Sequence, residues 1–119
     1  MKLAEMQTEM LKKDAKPLSD EEIVKLREEI PEWDLITKNN HNSIERKYKF
    51  KDFEQALMFT VRVGELAEKY NHHPAILTEW GQVTVTYWTH VIKGLHMNDF
   101  TMAAKTDDLY TGSISNFMI

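Results

Sequence analysis

Apolar positions along the chain switch between two periods. In SDEEIVKLREEIP, Ile23, Leu26 and Ile30 recur at helical intervals, Ser19 and Glu22 stand at the spacing of a reciprocal amino-terminal cap, and Pro31 is a stop. Two short alternating stretches follow, Trp33/Leu35/Thr37 and Ile44/Arg46/Tyr48/Phe50, separated by the turn-rich NNHN. They predict an antiparallel hairpin. Behind Asp52 as a cap the period turns helical again, with Phe53, Ala56, Leu57, Thr60, Val63, Gly64 and Ala67 on one face. The small Gly64 and Ala67 predict a close approach to a sheet. This helix should end near Asn71 to His73, because the residue before Pro74 is driven away from helical angles. AILTEWGQVTVTYWTH reads as a second hairpin turning at Gly81-Gln82, with Val83, Val85 and Tyr87 on one face and Thr84, Thr86 and Trp88 on the other. A last helix is predicted from Asn98 or Asp99, followed by TGSISNFMI as a frayed tail.

This order, α-β-β-α-β-β-α, predicts an α+β domain: a four-stranded antiparallel sheet with helices on one face. We expect a flexible amino-terminal extension over residues 1–16, a folded domain over 17–112 and a tail over 113–119. An uncovered edge strand on so small a domain predicts a homodimer, or a tetramer, that extends the sheet.

Composition removes several function classes. The 119 residues are 42% hydrophobic and 29% charged, the balance of an ordinary globular domain. No apolar run approaches the roughly 20 residues of a membrane span, and MKLAEMQTEMLKKDAK has no signal-like apolar core, so no membrane and a cytoplasmic location are expected. A net charge of -4 does not attract a phosphate backbone, so no nucleic acid is expected as a partner. There is no cysteine, which leaves any chemistry to oxygen and imidazole groups.

The imidazoles are concentrated in EKYNHHPAI. Glu68 and His72 are four apart, so on a last helical turn they share a face, and the carboxylate and the helix carboxyl end would both favour a protonated ring. Such a group can donate a proton near neutrality. His73 is leaving the helix and points elsewhere, and Pro74 stiffens the corner. By strand parity His90 shares the face of Thr84, Thr86 and Trp88. Taken singly, each has a plain reading too, as a capping or surface group. His41 in a turn and His96 in a linker read as surface, and Trp80, Tyr87 and Trp88 as sheet and interface packing. No metal is expected, since HExxH spacing is absent and tandem histidines diverge. A G-x-S-x-G elbow and a G-x-G-x-x-G loop are both missing.

Several spacings coincide, however. Glu68, His72-His73-Pro74, Trp80, His90 and Asp99, set in FTVRVGELAEKYNHHP and VTVTYWTHVIKGLHMND, resemble the signature of the pterin-4a-carbinolamine dehydratase family, also known as dimerization cofactor of a hepatocyte nuclear factor. The resemblance covers roughly Leu18 to Leu109, and departs at Ala75-Ile76, where family members often carry an acidic residue and Trp. It implies the same element order and a reaction, dehydration of 4a-hydroxytetrahydrobiopterin to quinonoid dihydropterin, in tetrahydrobiopterin recycling. It further implies His72, His73 and His90 as the acid/base and substrate-holding set. The sequence does not decide which ring protonates the hydroxyl; our expectation is that His72 and His90 are proton donors and that His73 mainly binds the pterin. Glu68 would orient His72, Asp99 would do the same near His90, and Pro74 and Thr89 would line the pocket. No cofactor is implied; the partners are a small-molecule pterin and functional coupling to an aromatic amino acid hydroxylase. The same family implies two other roles, a dimerisation partner of a transcription factor and a pterin-binding paralogue in molybdenum-cofactor metabolism.

Overall fold

The structure, a computed structural model, describes residues 2–117. Seven main elements follow in the expected order: α1 (Asp20–Arg27), β1 (Asp34–Lys38), β2 (His41–Lys49), α2 (Phe53–Tyr70), β3 (Ala75–Glu79), β4 (Gln82–Tyr87) and α3 (Met97–Phe117). The four strands form one antiparallel sheet in the order β1-β2-β4-β3. Among the described residues no helix is long and apolar enough to cross a membrane.

Local chemistry accounts for most boundaries. Ser19 Oγ accepts from the Glu22 amide while the Glu22 carboxylate accepts from the Ser19 amide, closing the cap that starts α1. Asp52 accepts from the Gln55 amide at 2.9 Å and starts α2. The first hairpin turns on Asn39 and Asn40, both at positive φ (52° and 65°), which matches the twist of a two-residue turn. His41 therefore begins β2 rather than lying in the turn. In the second hairpin the turn is one residue earlier than expected, at Trp80-Gly81, with Gly81 at φ 73°.

Register places Ile44 opposite Tyr87 and Tyr48 opposite Val83, so these side chains and Val85 share the face against which the helices pack. The core there is aromatic: Trp33, Tyr48, Phe59, Tyr87 and Phe100 are fully buried, with Tyr48 and Phe59 ring centres 4.8 Å apart. One carboxylate ties sheet to helix. Asp107 on α3 accepts from Trp33 Nε1 (3.0 Å), Arg46 Nη1 (2.7 Å) and Tyr48 Oη (2.6 Å).

Both ends differ from expectation. Leu3 is buried in the core, Lys105 Nζ donates to the Ala4 carbonyl at 2.8 Å, and Thr8 Oγ1 donates to the Tyr70 carbonyl at 2.8 Å. The amino-terminal segment, expected to be loose, is thus laid along α3 and the end of α2. The Thr8 hydroxyl and the Ala4 carbonyl find partners 62 and 101 positions away in sequence, which no local pattern reveals. At the other end α3 runs on to Phe117 through the stretch expected as a frayed tail; residues 118 and 119 lie outside the described residues.

Candidate active site

The corner after α2 is made by Asn71, which closes the helix in the left-handed conformation (φ 51°, ψ 45°), one that Asn tolerates better than most residues. The Asn71 and His72 amides both turn back to the Ala67 carbonyl, the latter at 3.1 Å. His72 is consequently past the helix, and its ring leaves the α2 surface for α3.

There it meets Asp99. Its carboxylate is completely buried in the first turn of α3, where the helix amino end favours negative charge. His72 Nε2 lies 2.6 Å from Oδ1, while Oδ2 accepts from Thr89 Oγ1 at 2.8 Å and from the His96 amide at 2.9 Å. Three partners satisfy a charge that burial would otherwise make costly. They also set the ring: an Nε2 that donates to a carboxylate leaves Nδ1 to face a ligand, as acceptor in the neutral ring and donor in the imidazolium. Parallel to His72, 6.2 Å away, lies the ring of Tyr87, whose phenol is pushed above the usual tyrosine range chiefly by burial, with the charge of Asp99 adding to it.

Glu68 therefore does not hold His72, as expected on helical spacing; its carboxylate pairs with His73 Nε2, and both groups are exposed. The left-handed Asn71 is the reason, because it takes His72 off the face of α2 and brings His73 back over it. Nor does Asp99 serve His90. β4 ends at Tyr87, and His90 opens a short 3-10 turn (His90–Ile92), so strand parity does not reach it. That turn is closed by a bridge between Thr89 and Gly94 and by Lys93 at φ 51°. His90 is exposed and leans on Trp88, ring centres 4.4 Å apart. Trp88 also stacks with His41 at 5.4 Å, and Trp80, expected as sheet or interface packing, stands 74% exposed in the single chain.

His72, His73 and His90 line a single cavity of about 380 Å³ with Pro74, Thr89 and Trp88, a volume in the range of small-molecule sites. Glu68 and Asp99 do not line it: Glu68 reaches it through His73, and Asp99 through His72 and Thr89. Two contributors lay outside the sequence reading. Leu11 lines the cavity from the amino-terminal segment, and His96, expected at the surface, is mostly buried with Nδ1 accepting from the Asn98 amide at 3.0 Å. Only His96 carried a signal, its place three residues before Asp99. Among the described residues no group of three or more His, Cys, Asp or Glu side chains is arranged to hold a metal ion.

A family model described as pterin 4 alpha carbinolamine dehydratase matches residues 16–109. The chain belongs to this family. A solved structure from Brucella melitensis, described as a transcriptional coactivator/pterin dehydratase, is 29% identical with a TM-score of 0.72, covering 80% of this chain and 99% of its own. A pterin dehydratase-like protein described as a RuBisCO assembly factor in the alpha-carboxysome shares the fold at 20% identity and a TM-score of 0.55, over 66% of this chain and 88% of that one. All three cavity histidines and Asp99 fall inside the span matched to the pterin 4 alpha carbinolamine dehydratase family, and Leu11 falls outside it.

Proposed function

We propose that this chain is a 4a-hydroxytetrahydrobiopterin dehydratase, a hydro-lyase. In the reaction the C4a–O bond breaks and the hydroxyl leaves as water after gaining a proton. A ring nitrogen lone pair forms the new C=N bond as that nitrogen gives up its own proton, so nothing is oxidised or reduced. The observation that carries this reading is the convergence of His72, His73 and His90 on one cavity, with His72 oriented by a buried carboxylate. Such a site can supply and remove protons with imidazole alone.

In this scheme His72 and His90 act as proton donors and His73 mainly holds the pterin. Glu68 positions His73, Asp99 and Thr89 position His72, and Pro74 shapes the wall. His90, resting on Trp88 and open to solvent, can exchange its proton with water between turnovers. The physiological setting we infer is cytoplasmic pterin recycling beside an aromatic amino acid hydroxylase, in a homodimer or tetramer built on the exposed β3 edge. Leu77 of that strand and Phe53, Leu57 and Val61 of α2 are all exposed. The exposed apolar positions of α2, Phe53, Leu57 and Val61, favour a second reading, a protein-interaction module, in line with the coactivator description of the Brucella relative.

Stopped-flow decay of the carbinolamine separates the two. His72→Ala and His90→Ala should each slow dehydration by about 10²-fold or more, the usual acid/base contribution, and EDTA should leave the wild-type rate unchanged. Near-normal turnover by both folded variants would favour the interaction module.

A further inference from the structure

The family match begins at residue 16, but the histidine cavity is lined in part by a residue before it, Leu11. The segment around Leu11 is held at two points, and both flank the site. Thr8 Oγ1 donates to the carbonyl of Tyr70, the last residue of α2, two positions before His72. One residue on, the Glu9 amide donates to Asn98 Oδ1 at 3.0 Å and the Glu9 carbonyl accepts from Asn98 Nδ2 at 2.8 Å. Asn98 is nearly fully buried and immediately precedes Asp99. The Glu9 carboxylate lies 3.6 Å from Nε2 of His96, whose amide in turn holds Asp99. Beyond Glu9, Met10 stands 93% exposed, while Leu11 is half-buried and lines the cavity.

We propose that residues 8–11 are a strap that completes the substrate pocket. Thr8 and Glu9 tie together the ends of α2 and α3 that carry His72 and Asp99, and Leu11 is a specificity-determining wall against an apolar edge of the bound pterin. Leu11 has no group that can exchange a proton, so it acts on binding and not on the chemical step. Removing such a uniform contact raises KM and leaves kcat alone.

This inference rests on the dehydratase reading, and the experiment keeps the two apart. In the full chain, Leu11→Ala, Leu11→Met and Asn98→Ala are compared with wild type by stopped-flow dehydration and by fluorescence titration with 7,8-dihydrobiopterin, which lacks the 4a-hydroxyl. Leu11→Ala should raise both KM and the dihydrobiopterin Kd by about 5- to 10-fold, the loss of one or two buried methylene contacts, with kcat within about 2-fold. Leu11→Met should restore most of it. Asn98→Ala should speed hydrogen exchange at the Glu9 amide and raise KM similarly. Wild-type turnover with unchanged KM and Kd in Leu11→Ala would overturn the strap alone; wild-type protein that neither binds dihydrobiopterin nor dehydrates the carbinolamine would overturn the functional reading and the strap with it.

Discussion

Replacing Asp99 by Asn keeps the shape of the buried hub and removes its charge. With the amide oxygen in the Oδ2 place, Thr89 Oγ1 and the His96 amide keep their acceptor. The amide nitrogen then faces His72 Nε2, 2.6 Å away in the native pair. Only a ring nitrogen without a proton can accept that new donor, so the tautomer of His72 reverses and Nδ1 carries the proton. A neutral imidazole N–H is far too weak an acid to protonate a leaving hydroxyl, so His72 drops out of the proton transfers although the ring stays in place. Losing an acid/base group of this kind costs about 10²- to 10⁴-fold in kcat. Stability should fall much less: one charge-assisted bond becomes a neutral one, about 1–2 kcal/mol. Asp99→Ala is the poorer probe, because it strands three donors at about 1–3 kcal/mol each and mixes folding with catalysis. The assay is carbinolamine decay for the rate beside urea denaturation for the fold. A kcat for Asp99→Asn within a few-fold of wild type, at an unchanged urea midpoint, would refute the claim that Asp99 sets the state of His72.

Gly94 packs so tightly that an added Cβ would sit 2.8 Å from Cβ of Pro17; Gly94→Ala should cost about 1–3 kcal/mol by overpacking, read from the urea midpoint. Asp107→Ala leaves Trp33, Arg46 and Tyr48 without their shared acceptor and should destabilise by about 2–4 kcal/mol without a matching loss of kcat. Tyr48 and Tyr87 have phenols raised above the ordinary range, each chiefly by burial, with Asp107 next for Tyr48. The unfolded chain releases those protons near pH 10 while the folded chain keeps them, so their contribution is intact below about pH 10 and is lost as pH rises beyond it. Denaturation midpoints should therefore drop on the alkaline side, with tyrosinate absorbance appearing together with unfolding, and Tyr48→Phe should shallow that drop.

Element order, both hairpins and the caps at Ser19 and Asp52 were legible in the chain because each rests on contacts within a few residues, where spacing translates directly into geometry. The histidines could be singled out for the same reason, as a cluster with fixed offsets. Their partners could not. Whether Glu68 holds His72 or His73 depends on one left-handed residue, Asn71, that rotates the chain off the helix between them. Whether Asp99 serves His72 or His90 depends on how α3 crosses the end of α2, and helical spacing says nothing about a pair 27 residues apart. Leu11 is the extreme case, an ordinary position in a Lys/Glu/Met-rich segment that becomes part of the cavity because Thr8 and Glu9 find partners far along the chain. Short-range hydrogen bonding and hydrophobic period are written locally and decide what the elements are; the pairing of titratable groups is a property of packing, and only the assembled fold decides which imidazole meets which carboxylate.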